Sequence, residues 1–222
     1  MFDADCLKLM FVAGSQDFYH IKGGKNDRIN ALLDTLELAL QSKITAFQFR
    51  QKGDLALQDP VEIKRLALEC QKLCKKYGAP FIVNDEVQLA LELKADGVHV
   101  GQEDMAIEEV VTLCQKRLFI GLSVNTLEQA LKARHLDAVA YLGVGPIFPT
   151  PSKKDAKQVV GVELLKKIKD SGVKKPLIAI GGITMHNASK LHECGISGIA
   201  VISAIAQAKD KALAVEKLLN HA

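Results

Sequence analysis

Short runs of β-branched and apolar residues alternate with longer amphipathic stretches along the whole chain, and few folds accept that rhythm. The apolar runs lie at Lys8–Ala13, Ile44–Phe49, Phe81–Val83, Gly97–Val100, Leu118–Leu122, Ala138–Gly143, Leu177–Ile180 and Gly198–Ile202. Between them the helical period recurs. From about Asn26 to Ser42 it puts Ile29, Leu32, Leu33, Leu36 and Leu40 on one stripe. Further helices are predicted near Asp59–Tyr77, Glu86–Leu93, Met105–Gln115, Thr126–His135, Val162–Asp170 and Met185–Cys194, with a last one ending near Leu219. Gly78 reads as the C-cap of the second helix, and Pro80 stops any continuation. Strict alternation of this kind predicts a parallel α/β fold. With 222 residues and eight strand–helix units, the expectation is a single (β/α)8 TIM barrel spanning residues 1–222 as one domain. An open doubly wound sheet is the alternative, but it rarely needs eight such units in so few residues.

An apolar fraction of 48% supports a real core, and the net charge of +3 is small and spread along the chain. A nucleic-acid partner would want a concentrated basic face, so none is expected, while a local anionic ligand stays open. The five cysteines match no zinc spacing. Cys70 and Cys74 share one helix face and read as small buried apolar groups, with a redox site the alternative. No basic segment leads into a long apolar run, and no apolar stretch is long enough to span a bilayer. The expectation is a soluble, reduced, cytoplasmic protein without a membrane partner. The sequence leaves a homo-oligomer open.

Polar and charged residues cluster where the predicted strands end. Arg50 and Lys52 follow the second strand, Asn84 and Asp85 the third, Asp104 the fourth and Ser123 the fifth. Thr150, Ser152 and Lys153 come after the sixth, Gly181 and Gly182 after the seventh, and Ser203 after the eighth. Strand C-terminal ends of a closed barrel meet on one rim, which holds the active site. The longest connection, Gly145–Val160, carries Pro146, Pro149 and Pro151 together with Lys153, Lys154 and Lys157. It reads as a lid that closes over an anionic substrate, or as a solvated basic loop.

Ile180-Gly181-Gly182-Ile183 would let backbone N–H groups approach a phosphate, with Ser203 at a helix start beside it. The glycines alone could equally make a tight turn. Asp85 and Asp104, on neighbouring strand ends, would repel unless a cation lay between them, and an all-oxygen donor set suits Mg²⁺. Two alternatives stand: Asp104 could N-cap a helix starting at Met105, or the pair could serve as acid and base without metal. With Arg50, Lys52 and Lys153 on the same rim, metal plus diphosphate is favoured. Among the six histidines, His99 lies within a strand and reads as a core or supporting residue. His20, His135 and His221 look like surface residues, and His186 and His192 do not share a face.

Seven segments carry a family resemblance: Gln48-Phe49-Arg50-Gln51-Lys52, Val83-Asn84-Asp85, Asp96 to Asp104, Gly121-Leu122-Ser123, Gly145 to Lys153, Ile180 to Ile183 and Val201-Ile202-Ser203. In order and at the right strand ends, they resemble the thiamine-phosphate synthase (thiamine-phosphate pyrophosphorylase) family. The resemblance implies a transferase that joins a hydroxymethylpyrimidine diphosphate to a thiazole phosphate, two small phosphorylated substrates. Diphosphate leaves and thiamine phosphate forms. By position, the resemblance puts Gln48, Arg50, Lys52, Asn84, Ser123 and Lys153 on the pyrimidine diphosphate, with Arg50, Ser123 and Lys153 acting in the chemistry. It puts Asp85 and Asp104 on Mg²⁺. Thr150, Pro151, Ser152, Gly181, Gly182, Ile202 and Ser203 fall on the thiazole phosphate. Ser152 stands where the family more often has Thr, and the hydroxyl is kept. Rival readings are a thiazole tautomerase-like barrel, which would move a proton without diphosphate, and a non-catalytic regulator that kept the phosphate pocket.

Overall fold

A computed structural model of the chain describes residues 2–150 and 158–221. Its strands are β1 (Leu9–Ala13), β2 (Ala46–Phe49), β3 (Phe81–Asn84), β4 (Gly97–Val100), β5 (Phe119–Val124), β6 (Val139–Val144), β7 (Leu177–Ile180) and β8 (Gly198–Val201). They pair in sequence order, all parallel, and β8 returns to β1 to close the barrel. The expected (β/α)8 architecture is therefore observed. Closure requires the β8 backbone to come very near the start of β1, where the Ile199 N–H donates to the Lys8 carbonyl at 3.0 Å. Gly198 makes this approach: a Cβ there would overlap the Leu7 carbonyl oxygen.

The helices are α1 (Lys25–Gln41), α2 (Pro60–Tyr77), α3 (Val87–Leu93), α4 (Ile107–Cys114), α5 (Leu127–Ala133), α6 (Gly161–Asp170), α7 (Ser203–Ala206) and α8 (Lys211–Leu219). Local chemistry explains their ends. Asp59 caps α2 by accepting from the Val61 N–H, Pro60 opens its first turn, and Gly78 ends it with a left-handed φ of 72°. Three boundaries differ from the sequence reading. The connection after β7 is a 3₁₀ helix at Ala188–Cys194, not an α-helix from Met185. Thr184 and Asn187 there use their side chains on the amides of His186 and Thr184 and on the Gly182 carbonyl, which competes with helical bonding. The C-terminal helix is two helices, because Asp210 caps a fresh start at α8. Helix α4 begins at Ile107 with Ala106 as N-cap, so Asp104 does not cap it.

Strand alternation divides the core in two. Met10 and Val12 of β1 point into the barrel with Ala46, Ile82, Tyr141, Ile178 and Ala200. Leu9, Phe11 and Ala13 point out to the helix layer, with Phe47, Phe81, Leu32 and Leu36. Cys70 and Cys74 are buried free thiols in that outer layer, as expected. Burial pushes both thiols well above the usual cysteine range and keeps them protonated. Among the described residues, no helix is long and apolar enough to cross a membrane.

Gly198→Ala should destabilise the barrel by about 2 kcal/mol or more, because the clash is with main chain. Gly172→Ala, with a φ of 80° and open space around it, should cost only about 1 kcal/mol. Urea midpoints of the two variants check the contrast, and equal midpoints would contradict the closure argument.

Candidate active site

The C-terminal ends of the strands surround a cleft of about 1120 Å³, a volume that includes its open mouth. Arg50, Lys52, Asn84, Asp85, Asp104 and Ser123 line one side, as the sequence predicts. Thr150, Gly181, Gly182, Ile202 and Ser203 line the other. Gln48 is not on the wall. It is buried on β2, one layer deeper, where its Nε2 donates to the Met10 sulfur at 3.6 Å. Pro151, Ser152 and Lys153, and with them the expected lid with Lys154 and Lys157, lie outside the described residues.

The carboxylates meet as expected, and an ammonium group joins them. Lys52 Nζ lies 2.9 Å from Asp85 Oδ2 and 3.4 Å from Asp104 Oδ1. Asp85 sits at the turn out of β3 with a left-handed φ of 63°, a conformation that Asp tolerates better than most residues. Its N–H donates to the His99 carbonyl at 2.8 Å, continuing the β3–β4 ladder past the strand end. Asp104 is held by the Gly101 N–H at 2.8 Å. Burial pushes the Asp85 carboxyl above the usual range, and the Asp104 charge beside it adds to this, while Lys52 pulls the other way. Burial also pushes Asp104 up, but the Gly101 N–H, the bond with Asp85 and the Lys52 charge outweigh it, so Asp104 lies below its ordinary value. One acid of the pair is thus held ionised and the other resists ionising.

This donor set fits a hard divalent cation. Two carboxylates converge on one positive charge, and all ligating atoms are oxygen. No cluster of three or more His, Cys, Asp or Glu ligands occurs among the described residues. A cation held by Asp85 and Asp104 would complete its shell with water and substrate oxygens.

At the opposite wall, Gly181 and Gly182 have φ values of 97° and 67°. A side chain at Gly181 would press on Pro146, and one at Gly182 would meet the Phe148 and Pro149 carbonyls. The Ile147 and Phe148 N–H groups donate to the Ile180 and Gly181 carbonyls at 2.9 and 3.0 Å. The paired glycines therefore seat the segment that leads out of β6, a role beyond the turn and phosphate readings of the sequence. Ile202 and Ser203 open α7, which is only one turn long.

His99 is as buried as expected, but it also lines the floor of the cleft. Its Nε2 is 2.9 Å from Ser123 Oγ and its Nδ1 2.9 Å from Tyr141 Oη. The strand period carried the signal, since His99 alternates with the outward Val98 and Val100. Gln102 and Asn125 were not anticipated. Both line the cleft, Gln102 donating to the Ser123 carbonyl at 2.6 Å and Asn125 to the Gly145 carbonyl. His192 and His221 pair with each other at the surface, 3.0 Å apart, away from the cleft.

A closed parallel barrel whose strand ends gather cations, paired carboxylates and glycine turns defines a barrel enzyme that acts on anionic small molecules. Comparison with known proteins sharpens the class. The sequence profile of the Thiamine monophosphate synthase family matches residues 18–205. The chain is 92% identical to a thiamine-phosphate synthase of Helicobacter pylori, with all of both chains covered. It is 51% identical to one of Pasteurella multocida, covering 97% of this chain and 96% of that one. Among solved structures it resembles a thiamine phosphate pyrophosphorylase from Pyrococcus furiosus, with a TM-score of 0.82 and 35% identity over 98% of this chain and 96% of that one. The chain belongs to the thiamine monophosphate synthase family.

The raised Asp85 predicts a stability gain on neutralisation. A carboxyl whose folded value is raised opposes folding only when ionised, so its penalty is absent below the unfolded-chain value and complete above the folded one. Without metal or diphosphate, Asp85→Asn should raise the thermal midpoint at pH 7, with the gain vanishing as pH falls below the ordinary aspartate range. A lower midpoint at pH 7 would mean that the charge pair with Lys52 outweighs the burial of Asp85.

Proposed function

We propose that the cleft joins 4-amino-2-methyl-5-(diphosphooxymethyl)pyrimidine to 4-methyl-5-(2-phosphoethyl)thiazole, or its carboxylated precursor, with release of diphosphate. The observation that carries this reading is the Asp85–Lys52–Asp104 cluster, beside the buried Arg50 and across one cleft from Gly181, Gly182 and Ser203. It offers charge for a diphosphate on one wall and a second anion seat on the other. Asp85 and Asp104 would hold Mg²⁺, which when bound neutralises charge building on the leaving diphosphate.

The protein groups do the rest. Arg50, rigid because it is buried, and Lys52, swinging from the carboxylates, bind the diphosphate oxygens together with Lys153. Asn84, Ser123 and the deeper Gln48 orient the pyrimidine. Thr150, Pro151, Ser152, Gly181, Gly182, Ile202 and Ser203 seat the thiazole phosphate. The C–O bond breaks with its electron pair going to the diphosphate, and the ring bears the resulting cation. The thiazole nitrogen then supplies the pair for the new C–N bond. No protein nucleophile is needed, because the gain comes from orientation and fixed charge.

Diphosphate release should require both substrates and Mg²⁺, and should fall by at least about a hundredfold in Asp85→Ala or Asp104→Ala. Tight thiazole phosphate binding without release would mean a pocket with a different chemistry. Lys153→Ala should slow turnover much more than it weakens thiazole phosphate binding. Equal losses in both would remove the leaving-group role of Lys153.

A further inference from the structure

At and below the floor of the cleft, three polar side chains from three strands are linked inside an otherwise apolar barrel. Tyr141 belongs to β6. Tyr141 Oη lies 2.9 Å from His99 Nδ1 on β4, and His99 Nε2 lies 2.9 Å from Ser123 Oγ on β5. Tyr141 is 1% exposed and His99 8%. Their neighbours are Met10, Val12, Ala46, Ile82 and Ile178. Glycines make room for the rings. A Cβ at Gly121 would strike both Tyr141 and His99, and one at Gly143 would come within 3.0 Å of His99 Cε1.

A polar chain in an apolar interior carries a desolvation cost that filled volume alone would not require. A neutral imidazole has one donor and one acceptor. With one hydroxyl on each ring nitrogen, one hydroxyl must donate and the other accept. The direction of the Ser123 O–H is therefore tied to that of the Tyr141 O–H. Burial pushes the phenol far above its ordinary range, so Tyr141 stays a neutral hydroxyl. The cleft end of the chain, Ser123, is among the residues assigned above to the pyrimidine. Tyr141 is absent from the wall of the cleft and is joined to it by His99.

We propose that Tyr141 and His99 are positioning residues for pyrimidine transfer, fixing the place and hydrogen-bond polarity of the Ser123 hydroxyl. This rests on the reading of the cleft given above. Tyr141 never meets the substrate, and its contribution passes entirely through Ser123.

The test is a double-mutant cycle on the full chain. It is read as the single-turnover rate of diphosphate release with enzyme in excess, and with the KM for thiazole phosphate measured alongside. Tyr141→Phe keeps the ring packed against Phe2 and Phe119 and removes one oxygen. It should slow release about tenfold in the Ser123 enzyme and less than about twofold in the Ser123→Ala background, leaving the KM for thiazole phosphate unchanged. His99→Gln, which keeps a donor and an acceptor, should recover part of the rate lost in His99→Leu, and it extends the test should Tyr141→Phe fold poorly. Equal losses in both backgrounds, or no recovery by Gln, would overturn the inference and leave the function standing. No diphosphate release by the unaltered protein would instead remove the function on which the inference depends.

Discussion

Hydrogen bonding between the first and last strands turns a row of eight strands into a ring, and the site depends on that closure. Residues 52 positions apart, such as Lys52 and Asp104, come within 3.4 Å because β2 and β4 end at the same rim. The Asp85–His99 backbone bond extends the same ladder into the cleft. Closure is made where Gly198 lets β8 meet the chain before β1, in the register Leu9 to Ile199 and Phe11 to Val201. A slip of one residue there would turn the inward side chains of β8 outward.

The interior of the barrel combines two kinds of packing. Its lower part is apolar, with Met10, Ala46, Ile82 and Ile178 filling the space. Toward the rim the inward positions become polar, and the strand register sets which of them lie side by side. Asn84 pairs with His99 in register, His99 with Gly121, and Ser123 with Gly143. The alternation of large polar and glycine positions is how the ring of His99 fits. The bonds of His99 to Tyr141 and Ser123 stiffen the floor of the cleft, which suits a reaction that relies on orientation.

Electrostatics explains why the rim keeps so much charge close together. Asp85 is raised by burial and Asp104 is lowered by its bonds, so the cluster tolerates both carboxylates with Lys52 between them. In the proposed function, a substrate anion with Mg²⁺ would take the place of that ammonium without leaving the acid pair unpaired. The same groups are suboptimal for the empty fold, as is usual where function and stability compete.

The alternation of apolar runs and helical periods was legible in the sequence, and so was the barrel, because eight short strands and their connections leave little choice of topology. The C-cap Gly78 was legible for the same local reason. So were the rim residues Arg50, Asp85, Asp104 and Ser123, since a strand end announces itself within a few residues. The 3₁₀ connection at Ala188–Cys194 was not, because side-chain bonds from Thr184 and Asn187 override a helical pattern that periodicity alone would extend. The seating of Gly181 against Pro146, the depth of Gln48 and the joining of Tyr141 to Ser123 through His99 were hidden as well. The chain by itself determined the order, type and polarity of its elements, because those follow from short-range periodicity and turn chemistry. Only the closed tertiary structure decided which inward side chains touch, because contacts between strands far apart in sequence are set by register and ring closure.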